Sequence, residues 1–377
     1  MNELFGIPMD TIMYVLLALF AVSVASVAYI WITNRTMFRM GLRNLPRRGL
    51  QTGLVVVGLM LATLITTASF TTGDTIDYSI TKATYDKLQR TDLALDFNGD
   101  AADTTGDPVY LSQSGVADLE QRFGHDADIE TFLPILFEPV AAVNERTGLS
   151  EPEVTIAGVD TSRLSAAGGL RLASGGDVDV SSLGDGDILL NTKAADDLDA
   201  RIGDVVTVFV NGEKTQLRVA GIVRGELASG DRGGFDQGKA DGGTMTLASL
   251  QKLTAREGQV NFLGIALKGT VRSSMARSDS AVSRLEPYVR SAQARQALAI
   301  GDRSVEIEKI KQDSVDEAEQ MGNLFTTFFL VLGLFSIAAG VMLIFMIFVM
   351  LATERKAEMG MARAVGAHRV NLVQSFV

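Results

Sequence analysis

The sequence predicts a membrane α-helical protein with three transmembrane helices and an α+β extracytoplasmic domain that carries a β-rich inserted lobe. Three observations predict it. First, three long segments contain no Asp, Glu, Lys or Arg: Thr11 to Asn34, Gly49 to Gly73 and Leu324 to Leu351. A hydrocarbon core of about 30 Å needs roughly 20 apolar residues as helix, and each segment is long enough. Second, the short stretch between the first two segments holds Arg35, Arg39, Arg43, Arg47 and Arg48 and no acid. Short basic loops stay in the cytoplasm, so the amino terminus and the long middle region are expected outside. Third, the middle region alternates helical spacing with short strands and glycine turns, the mark of an α+β domain.

Each element follows from local chemistry. The first segment is read as a retained helix, because a cleaved signal would want a basic start and this one carries Glu3 and Asp10. The second continues into "DTIDYSITKATYDKLQR", whose Ile76, Ile80, Tyr85 and Leu88 keep a helical period. A matching run, "VEIEKIKQDSVDEAEQMGNLF", precedes the third segment, with Val305, Ile307, Ile310, Val315 and Met321 assigned to one helix. The two runs read as stalk helices leaving the bilayer. Between them "TDLALDF" alternates as a strand, "SQSGVADLEQRFG" is a helix ending at Gly124, and "ETFLPILFEPVAAVN" is one or two strands. Then "DILLN", "GDVVTVFV" and "QLRVAGIV" are strands, "TKAADDLDA" is a short helix and "NGE" is a hairpin turn. A glycine and aspartate loop, "ASGDRGGFDQGKADGG", leads to helix, strand and helix in "MTLASLQKLTA", "VNFLGIALKG" and "SSMARSDSAVSRLEPYVRSA".

The expected organisation is an extra membrane helix at 1–35, a basic cytoplasmic loop and second membrane helix at 36–73, and the outer domain at 74–323. Its β-rich lobe covers about 151–225. The third membrane helix takes 324–352 and a cytoplasmic segment 353–377. Residues 71–323 hold 25 basic residues against 41 acids, a net charge of −16. That argues against a nucleic-acid partner, which needs clustered Lys and Arg. It reads as a solvated acidic surface.

Chemistry has few places to hide. The chain has no cysteine and two histidines, His125 and His368. Disulfides, thiol metal sites and the usual zinc or nucleophile motifs are therefore excluded, and no catalytic constellation, cofactor or metal is expected. "GGFDQGKA", Gly233 to Ala240, looks like a phosphate-binding loop, but Ala240 stands where a hydroxyl must hold magnesium and no buried strand leads in.

The tail "TERKAEMGMARAVGAHRVNLV" resembles the E-R-x-x-E-I-G-x-x-R-A-x-G-A signature of FtsX-like permeases, the MacB-like type of ABC transporter membrane subunit. Glu354, Arg355, Glu358, Gly360, Arg363, Ala364, Gly366 and Ala367 fall on it, and Met359 and Met361 depart conservatively. "VTIAGVD…DILLNTKAADDLDARIGDVVTV…LRVAGIV" resembles the periplasmic core domain of the same proteins, and "FRMGLRNLPRRGLQTGLVVVGLML" resembles their first span. The likeness covers about residues 36–377. It departs from the family in the extra helix at 11–34 and in stopping after the coupling segment, so the chain reads as a truncated or split permease.

The resemblance implies a non-catalytic permease subunit in the cell membrane, multi-pass, with ATP hydrolysis on a separate cytoplasmic ABC ATPase and a second permease copy or homologue completing a dimer. The outer domain would move in response, exporting or extracting a lipophilic or peptide-like substrate or acting on an extracytoplasmic partner. Coupling to the ATPase would fall to Glu354, Arg355, Glu358, Gly360, Arg363 and Gly366. On a helical wheel Ala357, Met361, Ala364 and Val365 share one face and Arg355, Lys356 and Arg363 the other, and Gly366 suits the left-handed position that ends such a helix. From the residues alone two alternatives stand: a bitopic sensor whose outer domain binds a ligand, and a membrane-anchored hydrolase, which the missing catalytic set disfavours.

Overall fold

Strand pairing in the computed structural model is organised by one long strand that serves two sheets. The structure describes residues 3–4, 7–33, 35, 39, 49–99, 109–232, 240–301, 303–354, 356, 360–361 and 364. They divide into one unit formed by Met1–Asp77 with Met321–Val377 and a second formed by Tyr78–Gln320.

The first unit is helical. Helix α1 spans Met9–Thr33, α2 begins at Gly49 and runs to Leu88, and the last helix reaches Glu354. Large apolar side chains point outward, among them Phe20, Leu324, Phe335 and Met346, each about 70% exposed. Such a surface is at home in lipid, not water. Hydroxyls that interrupt the apolar run bond back to their own helix: Thr63 donates to the Met60 carbonyl at 2.9 Å and Thr71 to that of Thr67 at 2.9 Å. Back-bonding of this kind lets a threonine-rich stretch shed its polarity. Gly58 lets α2 approach the last helix closely, since a Cβ there would lie 2.9 Å from Leu343 Cδ2. Among the described residues one helix, containing Ile310–Leu343, is long and apolar enough to cross a bilayer; the apolar stretches Met13–Tyr29 and Val56–Ile65 are shorter.

The second unit begins with the end of α2, and its sheet runs through β1 (Thr91–Gly99), β2 (Ile129–Asn144), β3 (Ser150–Val159), β4 (Asp187–Asn191), β5 (Val205–Val210), β6 (Glu213–Val223), β7 (Gly242–Thr246), β8 (Phe262–Leu267) and β9 (Ser304–Glu308). The order is β9-β1-β8-β2-β3-β7-β4-β6-β5, and β5 returns to pair with β2. Strands β2, β3, β7, β4, β6 and β5 therefore close a six-stranded ring, while β9, β1, β8 and the first half of β2 form an open antiparallel sheet. At 16 residues β2 is long enough for both. Its first half pairs with β8 from Ile129 to Ile135, and its second half pairs with β5 from Ala141 to Asn144. At the changeover the Asn261 amide imitates a strand residue, donating to the Phe137 carbonyl and accepting from its N–H, both at 2.7 Å.

Apolar residues alternate through the ring strands: Val154, Ile156, Ile188, Leu190, Val206, Val208, Leu217 and Val219 join one core cluster. Helix α3 (Gln113–Phe123), α4 (Thr192–Asp197), α5 (Leu247–Thr254), α6 (Ser278–Val289) and α7 (Ala292–Leu298) pack residues into the same core. The opposite face of β2 and β8, with Leu133, Ile135, Phe137 and Ala266, is covered by the segment carrying Leu164, Leu170 and Val180. The hairpin between β5 and β6 turns on Asn211 and Gly212 at φ 50° and 84°, as a two-residue turn requires.

Two sequence expectations change. Val305 and Ile307, assigned to the stalk helix, lie in β9, and the final helix, α8 (Ile310–Glu354), starts after them. Both periods accommodate those residues, and the open edge of β1 decides for the strand. "GGTM", assigned to loop and helix, is most of β7, parallel to β3 and antiparallel to β4.

Candidate functional site: two buried joints where the long helices meet the sheet

Lys311 stands in the first turn of α8 and is fully buried, as is Asp92 at the start of β1. A Lys with no exposed surface needs every donor satisfied. Its Nζ donates to Asp92 Oδ1 at 2.6 Å, to the Val271 carbonyl at 3.3 Å and to Ser274 Oγ at 3.5 Å. Asp92 is held as fully: its Oδ1 also accepts from Ser274 Oγ at 2.6 Å, and its Oδ2 from the Leu267 N–H at 2.8 Å. The pair thus ties the root of α8 to β1, to the end of β8 and to the segment that follows it.

The second joint is the turn from α2 into β1. Gln89 adopts φ 46° there and is 6% exposed. Its Nε2 donates to the Asp86 carbonyl at 2.7 Å and, at 3.4 Å, to Glu226 Oε1, while its Oε1 accepts from Arg171 at 3.3 Å. Lys87 pairs with Asp231 at 3.3 Å, and the Arg90 N–H donates to the Ala167 carbonyl at 3.2 Å. The end of α2 is thereby gripped by the segments around 167–171 and 226–231. Glu226 is 2% exposed, and burial pushes its carboxyl up to about 7, although Arg171 and Arg224 pull it down; Asp86 adds to the rise.

Neither joint was singled out in the sequence. Lys311 and Asp92 read as ordinary charges on a stalk helix and a strand, and only the separation of 219 residues closed by the fold brings them together. Of the residues assigned to coupling, Glu354 ends α8 and Gly360 is helical and exposed. Arg355, Glu358, Arg363 and Gly366 lie outside the described residues, as do Gly233 to Lys239 of the glycine loop. His125 is exposed in the turn after α3.

One group of carboxylates, Glu151, Asp197 and Asp241, has ligand atoms within 4.8 Å of one another. Lys193 already supplies a cation to it, bonding Asp197 and lying 3.6 Å from Asp241. The arrangement is an ion-pair network on the flank of the ring.

The family model for the MacB-like periplasmic core domain matches residues 52–299, about two thirds of the chain. The chain belongs to that family. It is a MacB-like ABC transporter permease chain, and the domain between its long helices is extracytoplasmic. Solved structures similar to it include the periplasmic region of MacB from Actinobacillus actinomycetemcomitans, 15% identical with a TM-score of 0.38, covering 61% of this chain and 94% of that one. The extracellular domain of the noncanonic ABC-type transporter YknZ from Gram-positive bacteria is 12% identical with a TM-score of 0.37, covering 57% and 98%. No curated protein matches the chain. In this MacB-like chain the two joints fall inside or beside the matched domain: Gln89 and Asp92 within it, Lys311 in the helix that follows.

Proposed function

We propose that the chain is a transmembrane permease subunit that couples ATP hydrolysis by a separate cytoplasmic ATPase to movement of its extracytoplasmic domain. The observation that carries this reading is the buried Asp92–Lys311 pair, which roots a helix with a long apolar body directly in the outer sheet. A tilt or shift of α8 then cannot leave the sheet behind, because the ion pair would have to separate in a dry interior. The three uncharged segments are the membrane spans in this reading, the arginines from Arg35 to Arg48 face the cytoplasm, and a second permease copy completes the assembly. A lipophilic or peptide-like cargo, or an extracytoplasmic partner, would receive the motion. Glu354, Arg355, Glu358, Gly360, Arg363 and Gly366 form the contact with the ATPase.

Two measurements test it. The chain has no cysteine, so single cysteines at positions 2, 43, 200 and 368 can be labelled with an impermeant thiol reagent in intact cells. Positions 2 and 200 should label and 43 and 368 should not; protection of 200 or labelling of 43 overturns the topology. In native membranes a tagged copy should carry vanadate-sensitive ATPase activity that Glu358→Lys reduces at least several-fold while the outer domain keeps its thermal transition. Unchanged coupled activity in that variant would remove the tail from the mechanism.

A further inference from the structure

The second joint contains a group that the coupling reading does not use. Glu226 Oε1 meets Gln89, but Oε2, which has almost no contact with solvent, has no hydrogen-bond partner among the described residues. An ionised carboxylate left half-satisfied in a dry site is costly, and protonation removes the charge that makes up the larger part of that cost. The position is also mechanical: Gln89 is the residue on which α2 turns into β1, and it touches the 226–231 segment through Glu226 and the 167–171 segment through Arg171. We propose that Glu226 is a proton-binding latch on this joint. A proton taken from the outside medium onto Oε2 holds the end of α2 against those segments, and returning it to the medium loosens them.

The charged groups around it set the direction. Arg171 and Arg224 favour the anion, Asp86 on α2 opposes it, and the neighbouring Lys87–Asp231 pair cancels itself. Burial outweighs them and carries the carboxyl from its ordinary 4.5 to about 7 in the closed joint. An acid whose closed-state value is raised gains a proton on closing, so closure strengthens as pH falls from above 7 towards 4.5 and is weakest above 7. If the open joint exposes Glu226 fully, the closed-to-open ratio changes by about two orders of magnitude across that window. The latch deepens the coupling reading by adding external pH as an input, yet its test needs neither ATPase nor transport.

The experiment uses the full chain in lipid nanodiscs, with spin labels on cysteines placed at Lys82 in α2 and Ser174 in the segment after Arg171, both exposed. Distance distributions are recorded from pH 4.5 to 8.5. The wild-type background should gain short-distance population as pH falls, with its midpoint between about 5 and 7. Glu226→Gln, which mimics the protonated state, should hold that population high and flat. A flat wild-type response, or an unchanged titration in Glu226→Gln, overturns the latch and leaves the coupling role to the ATPase assay. Should Glu226→Gln fail to fold, hydrogen exchange of the amides from 86 to 92 in the unlabelled chain decides. Protection corrected for intrinsic rate must rise as pH falls, and a constant value overturns the proposal.

Discussion

Asp92→Ala is expected to destabilise the outer domain by about 3–5 kcal/mol, because it strands the Lys311 ammonium in a site with no exposed surface. The lost acceptor leaves Nζ only the Val271 carbonyl and Ser274 Oγ, at 3.3 and 3.5 Å, both longer than the bond removed. Ser274 Oγ and the Leu267 N–H lose their acceptor too. Replacing both charges, Asp92→Leu with Lys311→Met, should recover the part of that loss due to the stranded ammonium, while Ser274 Oγ and the Leu267 N–H stay without their acceptor. The double variant separates stability from coupling: its domain should unfold at a clearly higher urea concentration than that of Asp92→Ala, while stimulation of ATPase activity by the outer domain stays low. Far-UV circular dichroism is the suitable probe, because the only tryptophan, Trp31, lies in α1, outside the Tyr78–Gln320 unit. A loss below about 1 kcal/mol for Asp92→Ala would show the pair to be dispensable and would remove the structural basis for linking α8 to the sheet.

Gly230→Ala should cost about 3 kcal/mol or more, again in the outer domain. Gly230 sits at φ 77° after the short turn at Leu227–Ser229, and a Cβ there would lie 1.9 Å from the Thr155 carbonyl oxygen of β3. No side chain can move aside, because the obstacle is backbone. Gly242, facing it at the start of β7, has the same constraint: its Cβ would lie 2.3 Å from the Ser229 carbonyl oxygen. The turn packs on the start of the β3–β7 pairing, where Gly242 stands opposite Thr155, so widening the contact disturbs that pairing. Gly203→Ala is the control. Its φ of 93° carries the same handedness, but nothing lies within 4 Å, so only conformational strain of roughly 1–2 kcal/mol is expected. Equal losses at the two positions in thermal unfolding would show that backbone strain alone, and not the close approach, is at work.

Much of the chain was legible before any coordinates. The uncharged segments declare helices because a long apolar run leaves no polar face, and their described residues lie in α1, α2 and α8. Strand β1 announces itself by alternation, β4, β5, β6 and β8 as short apolar runs between turn residues, and Asn211–Gly212 by the one turn geometry that permits two residues at positive φ. The tail carries its resemblance in spaced Glu, Arg and Gly residues that no tertiary contact is needed to see. All of these are local signals, with cause and effect a few residues apart.

What the tertiary structure alone decided is non-local. β7 has glycines where a strand ordinarily has β-branched residues, and it is a strand because Gly242 and Gly243 fit a space that closes on Ser229, Asn191 and Ile188. Val305 and Ile307 fit helix and strand equally, and the unpaired edge of β1 chose. Asp92, Lys311 and Glu226 look like three of many charges in an acidic domain. Their importance arises from burial, and burial depends on which segments, up to 219 residues apart, the closed sheet brings into contact.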